Sequence, residues 1–390
     1  MILANAILVL SERLVPQGWI AFSPEGAIID LGQGQPPNDP VTIDVRSHYL
    51  APGFIDLHVH GAKGRDTMEA TEDAFKNIAE FHATGGTTSL ALTTVSATEE
   101  RIIAVLKAAR SFPNTHAGAR VLGVHIEGPF FSPEKPGAHV PSALRSPTDL
   151  AEIDHLLEYK DVIRQMTLAP ELPGSLSLIS RLSEAGIIAS GGHSNCWAED
   201  AEAARLHGMS QVTHVYNCMS SARRRGPFRE AGLLEYALSE PEIRCELIAD
   251  GSHVSPTLMR ALYQAKGAAG ISLITDATAG AGLDDGTLFE LGGLPCVVAN
   301  GVGMLADGSA IAGSTMRMID GVKNLVQLVD VPLVEAVKMA TRNPAEALRQ
   351  ETVIGTLSPG ARADFTIFSS DFVVRQTWVG GQIVFENWND

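Results

Sequence analysis

The stretch FIDLHVH, residues 54–60, decides the reading of the chain. It is a short apolar run that ends in His58 and His60. Side chains two residues apart leave a strand on the same face, so both imidazoles emerge together. Seven further runs have the same character: TTSLALTT (87–94), RVLGVHIE (120–127), IRQMTLAPE (163–171), GIIASGGH (186–193), SQVTHVYN (210–217), RCELIAD (244–250) and GISLITD (270–276). Between them the spacing of apolar residues predicts helices over 72–83, 99–111, 175–185, 198–206 and 256–266. In the second of these, Ile102, Val105, Leu106 and Ala109 form one stripe at helical period. Eight strands alternating with helices predict an α/β chain folded as a (β/α)8 TIM-type barrel, with its chemistry at the C-terminal ends of the strands. The rival, an open doubly wound sheet, would carry a G-x-G-x-x-G turn after its first strand, and none is present.

The two ends read differently. MILANAILVL, GWIAFSP, GAIIDLG and VTIDVRSHYL at the start, and GTLSPGARADFTIFSSDFVVRQTWVGGQIVFEN at the finish, are strand-like runs broken by Gly, Pro, Asn and Asp. Neither end has enough strands to bury a face alone. They predict one small β-sandwich domain built from residues 1–50 and 354–390, beside a barrel domain of residues 51–353.

Composition narrows the partners. The 390 residues hold 29 Lys and Arg against 45 Asp and Glu, a formal charge of −16, with 45% apolar residues. Such a balance is globular and argues against nucleic acid or an anionic membrane as a partner. Cys196, Cys218, Cys245 and Cys296 are too few and too scattered for a disulfide framework. No signal peptide or membrane span is legible, so the expected location is cytoplasmic.

Polar residues recur where barrel strands stop. Glu127 ends the third, His193 the fifth and Asp276 the eighth, and His214 lies near the end of the sixth. A His-x-His pair alone also suits two polar residues in a loop mouth. Several imidazoles and carboxylates at equivalent strand ends point instead to a metal centre, because an unpaired buried charge is costly. Imidazole plus carboxylate suits zinc, iron, manganese or cobalt. Such an ion makes water acidic, and a nearby unbound carboxylate can accept its proton; with the other groups filling a ligand set, Asp276 is the candidate. His125 and Asp56 share faces with Glu127 and His58 and read either as groups that orient ligands or as core groups. His82, His116, His155 and His207 read as packed or solvated. His139 and His253 sit in loops beyond the third and seventh strands, where substrate contacts belong, and solvent-facing positions suit them as well. Arg223, Arg224, Arg225 and Arg229 form the strongest basic cluster and suit either a solvated loop or a bound phosphate or carboxylate.

Taken together, APGFIDLHVHG (51–61), HIEGPFFSPEKPGAH (125–139), GGHS (191–194), THVYNCMS (213–220), IADGSHV (248–254), LITDATAG (273–280), AGST (312–315) and MATRNPAEALR with GTLSPGARADFTIF (339–368) resemble the N-acetylglucosamine-6-phosphate deacetylases of the amidohydrolase superfamily. The resemblance covers nearly the whole chain. It implies a hydrolase of linear amide C–N bonds that frees acetate from an N-acetyl-hexosamine 6-phosphate. It implies Glu127, His193 and His214 as ligands of one divalent ion, zinc first among the choices, with His58, His60 and a bridging Glu127 for a second. It further implies Asp276 as general base and then acid, and His139 as the group that polarises the acetamide carbonyl. Asn217, Cys218 and Gly313 would line the sugar pocket. His253 and an arginine from a neighbouring subunit, Arg229 by position, would hold the phosphate, which makes a homodimer. Two departures stand out: Cys218 replaces the usual Ala, and Arg229 begins Arg-Glu-Ala-Gly rather than Arg-Glu-Pro-Gly after a longer, Arg-rich insert. The longer loop leaves room for the galacto epimer, and because fold does not fix substrate, another N-acyl or cyclic amide is the alternative on the same scaffold.

Overall fold

The structure, a computed structural model, describes residues 1–37, 42–113 and 118–388; His116 lies outside them. Eight parallel strands run in strict sequence order: Phe54–Val59, Thr87–Thr93, Arg120–Glu127, Ile163–Leu168, Ile188–Gly191, Met209–Val212, Arg244–Ile248 and Ile271–Ile274. They form the barrel expected from the alternation. The sheet closes between its first and last members through single contacts rather than a ladder. His58 O accepts from Asp276 N at 3.0 Å, and Ala277 O accepts from His60 N at 2.8 Å. Asp56 pins the same seam, accepting from Thr275 Oγ1 at 2.6 Å and from Thr275 N at 3.2 Å.

Of the five helices read from the sequence, Glu72–Ala83, Glu99–Ser111, Ala198–Leu206 and Pro256–Lys266 stand at the expected bounds, and Ser175–Glu184 ends one residue early. Thr71 caps the first of them, accepting from Ala74 N, and acidic Glu72 and Asp73 open its first turn, where the helix dipole favours them. Its apolar face (Ala74, Phe75, Ile78, Ala79) is buried against the barrel.

Most barrel strands end earlier than the sequence suggests, and three of them stop short of a site residue. The fifth, sixth and eighth stop at Gly191, Val212 and Ile274, two residues before His193, His214 and Asp276. Those three residues have φ of 47°, 29° and 51°. A left-handed residue cannot continue a ladder, so each strand ends and its polar side chain turns into the barrel mouth.

The terminal strands form one mixed sheet rather than two separate ones. Its path runs from Gln382–Glu386 through Val374–Val379, Phe365–Phe368, Tyr49–Pro52, Ile2–Val9 and Leu14–Phe22 to Ile28–Gln33, with Thr42–Asp44 also paired to Ile2–Val9. Phe22 lies three strands away from Phe365 along this path. Their ring centroids are nonetheless 5.5 Å apart, and the Trp378 ring is 5.6 Å from Phe22. The sheet therefore curls over its own core of Leu3, Leu8, Ile20, Phe22, Phe365 and Trp378, which gives the sandwich-like packing. Arg120 of the third barrel strand pairs with Asp364 at 2.8 Å and ties the two units together.

A four-stranded antiparallel sheet (Leu288–Leu291, Leu294–Ala299, Val302–Leu305, Ile311–Ser314) is inserted after the eighth strand. The helices Met318–Val329, Leu333–Ala340 and Arg342–Ala347 follow it. No helix of the described residues is long and apolar enough to cross a membrane. Phe22→Ala, which empties the seam of the curled sheet, is expected to cost about 3–5 kcal/mol. Urea unfolding measures this, and an unmoved midpoint contradicts the packing account.

Candidate metal centre

Glu127 ends the third strand and is 2% exposed. Four imidazoles converge on its carboxylate. Oε1 lies 3.5 Å from His58 Nε2, 3.4 Å from His193 Nε2 and 3.1 Å from His214 Nε2, and Oε2 lies 3.3 Å from His60 Nε2. Asp276 Oδ1 faces the first pair, 3.4 Å from His58 Nε2 and 3.2 Å from His60 Nε2. Burial opposes ionisation of both carboxyls, but the surrounding imidazoles outweigh it. Both are held below the usual carboxylate range.

The imidazoles form two pairs, His58 with His60 and His193 with His214. Within each pair the Nε2 atoms are 3.1 Å apart. Two ring nitrogens aimed at one another repel unless a proton or a cation lies between them. Two nitrogens about 2.0–2.1 Å from one tetrahedral ion stand about 3.3 Å apart, so both pairs fit a shared cation. His193 carries its proton on the far nitrogen, where Nδ1 donates to Lys135 O at 2.9 Å; its Nε2 lone pair is free to bind. The site thus has the donors of a divalent-metal centre, with Glu127 common to both halves.

His139 is different. Ser96 N donates to its Nδ1 at 3.0 Å, so in the neutral ring the proton is on Nε2, which points at Glu127 Oε2 3.4 Å away. Burial lowers the His139 pKa to about 4, which keeps the ring neutral. In that form it presents an N–H donor aimed into the centre.

A cavity of about 270 Å³ opens above these groups. His60, Glu127, His139, His193, His214, Asn217, Cys218, His253, Asp276 and Gly313, all expected at the site, line it. His58 is fully buried beneath. Its far wall includes Leu291, Ala310 and Ile311 from the inserted sheet, which sequence reading did not place. Gly313 sits at φ 73°, and a Cβ there would meet Thr278 Cγ2 at 2.4 Å and Asp276 O at 2.7 Å. Backbone packed against Asp276 leaves no room for a side chain. His253 Nδ1 lies 2.6 Å from Asp250 Oδ2. Burial disfavours its charged form, yet Asp250 prevails and raises its pKa above the ordinary value of 6.5.

Arg229 stands apart. It lies on an exposed hairpin of Arg223–Arg225 and Phe228–Glu230, outside the cavity lining of its own chain. Arg223 is committed to Asn195, and Arg225 to Glu199, and both stack on Trp197 at 3.9 and 4.0 Å. That leaves Arg224 and Arg229, directly opposite each other across the strands, without an ion pair among the described residues. Like charges so placed repel and favour an anion nearby.

His125 and Asp56 are core groups in this arrangement. His125 Nε2 bonds Thr167 Oγ1 at 2.7 Å, and its ring packs edge-on against His58. Burial pushes the Asp56 carboxyl up to about 7, against the opposing bond from Thr275. His82 is buried, His155 is half-buried and paired with Glu99, and His207 faces solvent.

The model of the amidohydrolase family matches residues 49–384. The chain belongs to the amidohydrolase family. It is 36% identical to an N-acetylglucosamine-6-phosphate deacetylase of Vibrio furnissii, over 86% of this chain and 83% of that one. It is equally 36% identical to an N-acetylgalactosamine-6-phosphate deacetylase of Escherichia coli O157:H7, over 88% and 90%. A solved N-acetyl-D-glucosamine-6-phosphate deacetylase variant from Mycobacterium smegmatis, in complex with N-acetyl-D-glucosamine-6-phosphate, superposes with a TM-score of 0.90 at 32% identity, covering 98% of this chain and 99% of that one. Within this amidohydrolase, Glu127→Ala removes the carboxylate common to both halves. Elemental analysis of the purified variant is expected to find bound divalent metal reduced to a small fraction of the wild-type content. Undiminished content contradicts the shared-ligand assignment.

Proposed function

We propose that this amidohydrolase removes the acetyl group from an N-acetyl-hexosamine 6-phosphate, N-acetylglucosamine 6-phosphate first, to give acetate and the amino-sugar 6-phosphate. The observation that carries the reading is the meeting, in one cavity, of a metal-type donor set, a neutral N–H donor at His139 and a His253 paired with Asp250. The relatives named above carry this activity in their names.

His58, His60, Glu127, His193 and His214 would hold one or two divalent ions, with zinc, iron, manganese or cobalt suited to the donors. When bound, such an ion makes water acidic and polarises a carbonyl. Asp276, ionised at neutral pH, takes a proton from the water whose oxygen bonds to the acetyl carbon. His139 Nε2–H donates to the carbonyl oxygen as negative charge develops there. Asp276 then returns the proton to the nitrogen as the C–N bond breaks, leaving acetate and a free amine. Asn217, Cys218 and Gly313 shape the sugar pocket, and the inserted sheet closes its far side. His253, whose pKa Asp250 raises, takes the phosphate together with Arg229 of a second subunit, so the working unit is a homodimer. Free thiols at all four cysteines suit a reducing, cytoplasmic setting.

The galacto epimer is the second reading, favoured by the E. coli relative. Acetate release from the gluco and galacto compounds, each with and without the 6-phosphate, separates the two. No release from any phosphorylated form overturns the substrate class. Asp276→Asn is expected to lower kcat about 10²–10⁴-fold with KM little changed, measured in steady-state kinetics. Asp250→Asn acts on binding instead. The charged His253 persists up to a pH above 6.5 in the wild type, so KM for the phosphorylated substrate is expected to climb only as pH rises past that raised pKa. In the variant the climb begins at lower pH, while KM for an unphosphorylated analogue stays flat. A pH–KM profile that the substitution leaves unshifted contradicts the role.

A further inference from the structure

Beneath the metal centre the barrel interior is polar, and one charged group in it has no part in the reaction just described. Glu246, in the seventh strand, is fully buried. Its Oε1 accepts from Gln165 Nε2 at 2.9 Å and from Gln211 Nε2 at 2.8 Å. Among the described residues its Oε2 has no hydrogen-bond partner, and neither has His58 Nδ1. These two orphaned atoms face each other at 3.6 Å. A buried carboxylate oxygen without a donor costs several kcal/mol, as does a buried ring nitrogen without a partner, so an arrangement that leaves both is waiting for a proton between them.

We propose that Glu246 is the positioning residue for the His58–His60 half of the centre. It fixes the proton of His58 on Nδ1, leaving the Nε2 lone pair for a second divalent ion. The inference rests on the proposed metal site and adds what decides its occupancy. His193 has the equivalent support from a backbone carbonyl, Lys135 O. His58 has no carbonyl at its Nδ1, and the seventh strand supplies a side chain instead. The two amide donors on Oε1 hold the carboxylate so that Oε2 cannot turn away from the ring. Glu246 also serves the other half indirectly, since its backbone O accepts from Val215 N at 2.8 Å, next to His214.

The substitution Glu246→Gln tests this without changing side-chain size. With its carbonyl oxygen retained by Gln165 and Gln211, the new amide turns an N–H toward His58 Nδ1. That makes Nδ1 an acceptor and moves the ring proton to Nε2, the wrong nitrogen for a ligand. Metal-free protein is titrated with zinc or cobalt(II), following bound equivalents and the cobalt d–d spectrum. Wild type is expected to take two equivalents, and Glu246→Gln one, with affinity for the second ion falling about 10–100-fold. The ion at His193 and His214 is expected to bind as in wild type. Two equivalents at unchanged affinity in the variant overturn the inference, as does a single equivalent in wild type. No bound metal in wild type overturns the proposed function itself, and so is distinguishable. Should the variant fail to fold, imidazole ¹⁵N spectra of loaded wild-type protein, assigned with His58→Asn, read the tautomer directly. A proton on His58 Nδ1 supports the inference, and one on Nε2 overturns it.

Discussion

Everything in this molecule turns on the Glu127 carboxylate and the four imidazole nitrogens packed around it. Each of these groups alone would be costly to bury at the top of an apolar strand. Together they form the donor set of a cation site, and the barrel brings them to that point. The five side chains come from four strands or strand ends spread between residues 58 and 214. Any change in strand order or register would disperse them, so the parallel ladder and the chemistry are one constraint seen at two scales.

The backbone shows where that constraint is met. His193, His214 and Asp276 all lie in the left-handed region, which none of these side chains prefers. Each would be comfortable in an extended strand, pointing sideways. Turning the chain at that residue aims the side chain inward instead. Conformations of this kind persist only where surrounding contacts over-determine them, and they gather at functional sites. Here the determinants are close at hand: Ser132 N donates to His193 O, and Asp276 is held on both sides, by His58 O and by Ser314 N.

Much of this is readable from residues. FIDLHVH and its seven companions define the barrel, and the ligand types at their ends define the chemistry. The union of the terminal strands in one unit is legible because neither end has strands enough to stand alone. Other features are not. The left-handed turns leave no composition signal, so the fifth, sixth and eighth strands read through to residues that lie beyond their ends. Glu246 sits in RCELI, where an acid among apolar residues reads as one more alternation; only its neighbours across the barrel, Gln165, Gln211 and His58, give it meaning. The inserted sheet at 288–314 has a strand pattern, with the Gly292–Gly293 pair at its first turn. Yet nothing local says that it folds back over the cavity.

That insert serves two jobs at once. Leu291, Ala310 and Ile311 of its antiparallel strands shape the far wall of the cavity, while Ser314, at the end of the last strand, is bonded to Asp276. The outer strands can diverge in shape, but the last one is tied to the barrel groups beside it. A lineage built this way can remodel the rim of its pocket only as far as that inner strand keeps its grip.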